Sequence, residues 1–393
     1  MKNFGLYILI LFVLAALLRV DFFFTLVYFF AGIYVVSRFW TNRMIKGLVS
    51  SRQLPNRAFL GDEIDISLTV ENQSWLPVPW LMVHDTYPLN LAVHPFFREV
   101  VSVAGKNTHH FQYSLMARRR GYYKIGPMTV SAGDLLGIHR TQVGQIDADY
   151  LIIYPKILSM AELGLPTHSP QVVLPTSVPI FEDPSRIMGV REYAIGDNPR
   201  HIHWTATART GQTMIKQFQP AIARDTAIFL NMCVNDYDRA EQISGIELAI
   251  TTAASLANHM IMIEKLPVGF NTFALDPLSE EEQRFSLPPR KERGQLLHIL
   301  EILARIQSVE ESDFLARIRQ EAPLLTWGAT IIIITNQESE PLMHTLLWLR
   351  QSGFNPTLVL VSSTQARKLT PQFNFPVFEV WRDKDIELWS PTH

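Results

Sequence analysis

The stretch Phe4–Val36 is almost wholly apolar and aromatic, interrupted only by Arg19-Val20-Asp21. As one helix it would be roughly 50 Å long and would hold two charges at the centre of a bilayer, which is costly. As two helices meeting at Arg19–Asp21, each is about 22 to 24 Å, slightly short for a hydrocarbon core near 30 Å. Snorkelling and local thinning can cover that mismatch, so a transmembrane helical hairpin over residues 1–45 is predicted. A cleaved signal peptide is disfavoured, because no small-residue cleavage site follows and a second apolar run comes at once. Lys2 precedes the hairpin and Arg38, Arg43, Lys46, Arg52 and Arg57 follow it. The positive-inside rule then puts both ends, and the downstream domains, in the cytoplasm.

What remains of the 393 residues is enough for two soluble domains. The formal net charge of -2 supplies no global field that would draw the chain to nucleic acid. A single cysteine, Cys233, excludes an intramolecular disulfide framework and suits a reducing compartment. It lies in an apolar run and is read as a small buried hydrophobe.

Residues 52–155 read as an all-β, sandwich-like domain. Glu63–Val70 alternates apolar and polar residues, and Asn72-Gln73-Ser74 supplies turn chemistry. Further short strands are expected at 81–85, 99–103, 109–116, 122–125, 128–131 and 138–142, and their regular spacing suggests two packed sheets. Arg118-Arg119-Arg120 reads as a solvated or lipid-facing charge cluster. Residues 156–185, rich in Pro, Ser and Thr, read as a linker. Residues 221–393 alternate strands and helices. Thr226–Cys233 and the β-branched run Thr330–Thr335 look like buried parallel strands. Residues 240–264 form a long helix with Ile243, Ile246, Leu248 and Ala249 on its apolar side. The pattern predicts an α/β domain with a doubly wound sheet.

Between linker and sheet lies the segment 186–220, which packs Arg, Lys, Asp and Glu around Tyr193, Trp204, His201 and His203. Asp197 and Pro199 suit a helix start and Gly211 suits a left-handed C-cap, so a short helix is expected from Pro199 to Thr210. GVREY, the following GD, the Arg-X-Ile-X-Trp of RHIHW, and TART resemble the signature of the bacterial "domain of unknown function 58" family. Arg119-Arg120-Gly121-Tyr122-Tyr123 and Asp134-Leu135-Leu136-Gly137-Ile138 resemble two further family elements, although Leu135 replaces a proline. The resemblance implies a membrane hairpin, a β domain, the signature, and a von Willebrand factor A-like α/β domain. It also implies a location in the bacterial inner membrane and a partner, an AAA-type ATPase of the MoxR class. Membrane lipid is the other expected partner.

The signature residues singled out are Arg191, Glu192, Tyr193, Gly196, Asp197, Arg200, Trp204 and Arg209. They read either as an Arg–carboxylate network fixing the segment onto the sheet or as a surface for a protein partner. Domains of the von Willebrand class often hold a metal through carboxylates, but the matching positions here are Asn231 and Asn336. Asp236 and Asp238 could substitute only in principle, so no metal or other cofactor is expected. His201 and His203 lie two apart, the wrong spacing for a zinc pair on a helix, and His109 and His110 face opposite sides of a strand. No phosphate loop, nucleophile elbow or Cys–His arrangement occurs. A non-catalytic scaffold is thus the expected function, with a hydrolase built from the signature's Arg, His and Asp residues as the alternative.

Overall fold

The computed structural model describes residues 4–18, 21–92, 94–133, 140–165, 182–193, 201–220, 225–237, 239, 242–336, 338–362 and 376–381. Two compact units are present, one built from Met1–Lys156 with Leu303–Arg305, the other from Ile157–Ile302 and Ile306–Asp383.

The first unit opens with two helices, α1 (Phe4–Leu18) and α2 (Asp21–Ile45), whose Phe12 and Phe24 rings meet edge to face at 6.5 Å. Their exposed surface is apolar, including Leu17, Phe22, Tyr28 and Phe29. By length and composition α2 could cross a membrane. It runs on past the apolar stretch, and its last turns change character. Ser37, Thr41 and Met44 fall on one face and are buried, while Phe39 is exposed. The Thr41 hydroxyl donates to the Ser37 carbonyl at 2.9 Å, so its burial leaves no unpaired donor.

Met44 is a core residue of the β-rich part. That part holds β1 (Leu48–Gln53), β2 (Arg57–Phe59), β3 (Glu63–Asn72), β4 (Val78–Thr86), β5 (Phe96–Val103), β6 (Asn107–Met116), β7 (Gly121–Ile125), β8 (Met128–Gly133), β9 (Arg140–Ile146) and β10 (Asp149–Tyr154). They form sheets of order β1-β3-β6, β2-β10-β7 and β5-β4-β8-β9. The alternation seen in Glu63–Val70 becomes an inward row of Ile64, Ile66, Leu68 and Val70, opposite Phe111 and Leu115 of β6. Deleting one such buried leucine side chain costs about 2–5 kcal/mol.

The second unit contains a hairpin of β11 (Glu182–Glu192) and β12 (Met214–Pro220) with α3 (Trp204–Thr210) between them. Then come β13 (Thr226–Leu230), α4 (Gln242–Asn258), β14 (Val268–Asp276), β15 (Glu281–Arg290), α5 (Arg293–Arg305), α6 (Phe314–Glu321), β16 (Thr330–Thr335), α7 (Glu340–Gln351), β17 (Asn355–Ser362) and β18 (Val377–Trp381). The main sheet has the order β15-β14-β13-β16-β17-β18. All neighbours are parallel except β14 and β15, which pair antiparallel. Every residue of β13 and β16 is buried, as a two-faced central strand requires. Ala227, Phe229, Ile331 and Ile333 pack with α6 and α7. Ile228, Leu230, Ile332 and Ile334 point the other way by strand alternation, toward the side that α4 covers.

Several expectations are corrected. The strand expected over 226–233 stops at Leu230, and Ile243, expected on the buried face of the long helix, is 83% exposed. Part of the expected linker is packed. Met160, Leu163 and Leu165 are buried, the Leu158 N–H donates to Ser255 Oγ at 2.9 Å, and residues 182–185 begin β11. Arg52, counted among the basic residues flanking the hairpin, has a fully buried side chain. In the Arg118-Arg119-Arg120 cluster only Arg118 and Arg119 are exposed. The Asp134–Ile138 turn lies outside the described residues.

Candidate functional site

The signature segment folds as an antiparallel ladder carrying a short helix. Val190 pairs with Lys216, Arg191 with Ile215 and Glu192 with Met214. The Tyr193 N–H donates to the Thr213 carbonyl at 2.9 Å, and Ile202 bridges to Ile215. The helix starts later than expected, at Trp204, and its cap is His203. His203 Nδ1 accepts from the Ala206 N–H at 3.0 Å, taking one of the free amides of the first turn. That acceptor role places the ring hydrogen of the neutral imidazole on Nε2. At the other end Gly211 adopts φ 74° and its N–H donates to the Thr207 carbonyl, the C-cap the sequence indicated. Thr207 ties helix to ladder, since its Oγ1 donates to the His203 carbonyl and accepts from the Met214 N–H at 2.9 Å.

Of the residues expected to act together, Arg191, Glu192 and Tyr193 end β11 and Trp204 and Arg209 lie on α3. Gly196, Asp197 and Arg200 lie outside the described residues, as does the expected Asp197 cap. Arg191 Nη1 donates to the Glu192 carbonyl at 3.1 Å. No residue of α3 is buried, and Trp204 is 72% exposed. Val190 and Tyr193 are exposed as well. Tyr193 and Trp204 present their rings outward.

A second polar cluster closes the carboxyl ends of β13 and β16, where strand order reverses and loops diverge. Asn231 is buried. Its Nδ2 donates to Asp236 Oδ2 at 2.7 Å and to Thr335 Oγ1 at 3.2 Å. Its Oδ1 accepts from the Cys233 N–H at 3.1 Å. Asn336 Nδ2 is committed to the Val361 carbonyl at 2.8 Å. Tyr237, fully buried, donates to the Asn231 carbonyl at 2.8 Å, and burial pushes its phenol pKa up, helped by the Asp236 charge. Cys233 points its Sγ at the Glu310 carbonyl, 3.3 Å away. Burial, reinforced by Asp236, raises its thiol pKa, which disfavours the nucleophilic thiolate. Asp238 lies outside the described residues. Among the described residues no group of three or more His, Cys, Asp or Glu could hold a metal ion.

Sequence reasoning missed a third cluster, in the first unit. Arg52 of β1 reaches Asp85 Oδ1 of β4 at 3.1 Å, Asp149 Oδ2 of β10 at 2.7 Å and the Asp147 carbonyl at 2.9 Å. Tyr113 of β6 donates to Asp85 Oδ2 at 2.9 Å. Burial alone would lower the Arg52 pKa, but the Asp149 hydrogen bond and the charges of Asp85 and Asp149 hold it above its ordinary value. Burial, with Asp85, pushes the Tyr113 phenol up. One signal was available. Asp85 continues the inward phase of Leu81 and Val83, so an acid there must find a buried cation.

Comparison with known proteins gives one relative and one family match. The chain is 24% identical over 322 residues to the uncharacterized protein YeaD of Bacillus subtilis (strain 168), an alignment covering 76% of this chain and 73% of that protein. Solved structures overlap it only locally. A CARDB domain from Pyrococcus furiosus, crystallised with di-metal ions, covers 27% of this chain and 91% of its own at TM-score 0.21 and 12% identity. A fragment of alpha-2-macroglobulin from Escherichia coli covers 28% of this chain and 17% of its own at TM-score 0.24 and 17% identity. Likenesses at that level carry no argument about function. Residues 189–344 match the family described as "Protein of unknown function DUF58", a span running from β11 through the signature and the central strands into α7. Over that segment the chain is similar to the DUF58 family.

Proposed function

We propose that this chain is a membrane-anchored, non-catalytic interaction protein that works with an AAA-type ATPase of the MoxR class. The observation that carries the reading is Trp204. A tryptophan 72% exposed on a seven-residue helix capped at both ends is an anchor held in place before a partner arrives. Arg209 and Tyr193 add the polar and aromatic contacts typical of protein interfaces. The sheet order supports a doubly wound, von Willebrand factor A-like domain. Numbered along the chain from β13, its strands run 3-2-1-4-5-6 with the third antiparallel. In such a domain Asn231 and Asn336 make a degenerate metal site, in which amides bonded within the protein replace carboxylates free to bind a cation. A hydrolase reading is weaker, because His203, a natural base for the signature, has its Nδ1 engaged in capping. The apolar hairpin would sit in the bacterial inner membrane with both soluble units in the cytoplasm.

The test is a crosslinking pull-down from native membranes with the full chain and Trp204→Ala. Capture of a MoxR-class ATPase by the wild type, lost in the variant at unchanged melting temperature, supports the proposal. Equal capture by both, or none by either, overturns the site. Calorimetric titration with magnesium or manganese should give no saturable heat. A stoichiometric isotherm abolished by Asp236→Ala would overturn the degenerate-site reading.

A further inference from the structure

The β3–β4 loop presents a second exposed tryptophan, Trp75, 66% exposed. The loop around it is unusually well fixed. Asn72, fully buried, donates through Nδ2 to the Leu76 carbonyl at 2.9 Å and the Ala104 carbonyl at 3.0 Å. Its Oδ1 accepts from the Ser74 N–H at 3.1 Å and the Ser74 hydroxyl at 2.6 Å. Every hydrogen-bonding position of that amide is used. The loop is also fastened to the end of α2. Trp40 Nε1 donates to the Pro77 carbonyl at 3.2 Å, and the Gln73 N–H to the Gly47 carbonyl at 2.7 Å. Backbones approach so closely that a Cβ at Gly47 would meet the Ser74 nitrogen at 2.7 Å, and one at Gly105 the Trp75 carbonyl oxygen at 2.2 Å. A fixed loop that holds a tryptophan away from its own core needs something outside to receive it.

The level of the loop on α2 says what that is. Pro77 sits beside Trp40 and Gln73 beside Gly47, so Trp75 lies alongside the last turns of the helix. The apolar stretch of α2 ends at Val36, and a hydrocarbon core of about 30 Å counted from Asp21 at 1.5 Å per residue reaches Thr41 at most. The headgroup layer then begins where the loop stands. Phe39 is exposed at the same level, and Arg43, Lys46 and Lys106 are exposed around the loop, with the Lys106 N–H bonded to the Ser74 carbonyl at 2.8 Å. A tryptophan flanked by cations suits an anionic lipid–water boundary, where the indole sits among headgroups and the ammonium groups meet phosphates. We infer that Trp75 and its loop form an interfacial lipid anchor, a second point of membrane attachment beside the hairpin. This rests on the membrane reading of the hairpin.

The full chain in nanodiscs containing anionic phospholipid tests it. Tryptophan emission is recorded for wild type and Trp75→Phe, and their difference is the Trp75 signal. With lipids brominated near the headgroup, that signal should lose most of its intensity, while iodide in the aqueous phase should leave it largely intact. Trp75→Phe keeps a ring at an exposed position, and matching circular dichroism confirms its fold. If the chain enters nanodiscs but the Trp75 signal is quenched by iodide and not by bromolipid, the anchor is overturned and the hairpin reading survives. Failure of the chain to enter nanodiscs overturns both.

Discussion

The Arg52 cluster and the signature segment draw on the same residue types, Arg with acids and a tyrosine, and put them to opposite uses. In the first, residues from four strands converge, although Arg52 and Asp149 are 97 positions apart. In the second, Arg191, Glu192 and Tyr193 end a strand, and Trp204 and Arg209 lie on a short helix with no buried residue. Crowding along the chain says little about crowding in space. A buried charge must be paired across the fold, whereas an exposed charge is under no such demand.

The sharpest way to break that contrast is Asp85→Ala. Removing one partner of a buried ion pair costs about 3–5 kcal/mol. Hydrogen-exchange protection of β4 and β10 should fall accordingly in the detergent-solubilised chain, and unchanged protection would show that Asp149 alone suffices for Arg52. An alkaline titration comes next. Tyr113 has a folded pKa above its ordinary 10.0, so its contribution is complete below pH 10.0 and is lost as pH rises beyond it. Each pH unit in that window costs about 1.4 kcal/mol per such group. Tyr113→Phe should flatten the alkaline limb of stability against pH; an identical limb would assign it to other groups. Third, His203→Ala removes the cap of α3 and should cost about 0.5–2 kcal/mol, with His203→Asn restoring most of it. Proteolysis within residues 201–212 reads this locally, and equal cleavage of all three forms would remove the capping role. The smallest effect is expected for Trp204→Ala, a change within about 0.5 kcal/mol for an exposed side chain away from the core. A loss of several kcal/mol would mean that the ring is packed and the signature is structural after all.

Elements with a strict pattern were legible from the sequence. β3 announced itself by alternation, β16 by an unbroken β-branched run, and the presence of two helices rather than one by the charges between their apolar runs. Strands β1, β2 and β10 were not, because Leu48–Gln53 is mostly polar, Arg57–Phe59 is three residues long, and Asp149–Tyr154 loses its alternation in a run of apolar residues. The start of α3 was misplaced because a proline suited to the first helical turn competes with a histidine cap four residues later, and propensity does not rank the two. At the carboxyl ends of the central strands the sequence singled out Asn231 and Asn336, which the structure places just after β13 and β16. It did not indicate that Tyr237 and Thr335 would take up the hydrogen bonds of Asn231, since those contacts depend on how the loops close.

Met44 belongs at once to the last turn of α2 and to the interior of the β-rich part. No swivel therefore separates the apolar helix from the strands that follow it. A flexible tether would let the two reorient independently, at a cost measured only in chain entropy. A helix keyed into a packed interior is instead a lever, because close-packed interiors resist deformation and transmit strain. Any tilt imposed on the apolar helix is delivered as torque to the strands it packs on, β8 among them, and any load on those strands returns along the helix axis.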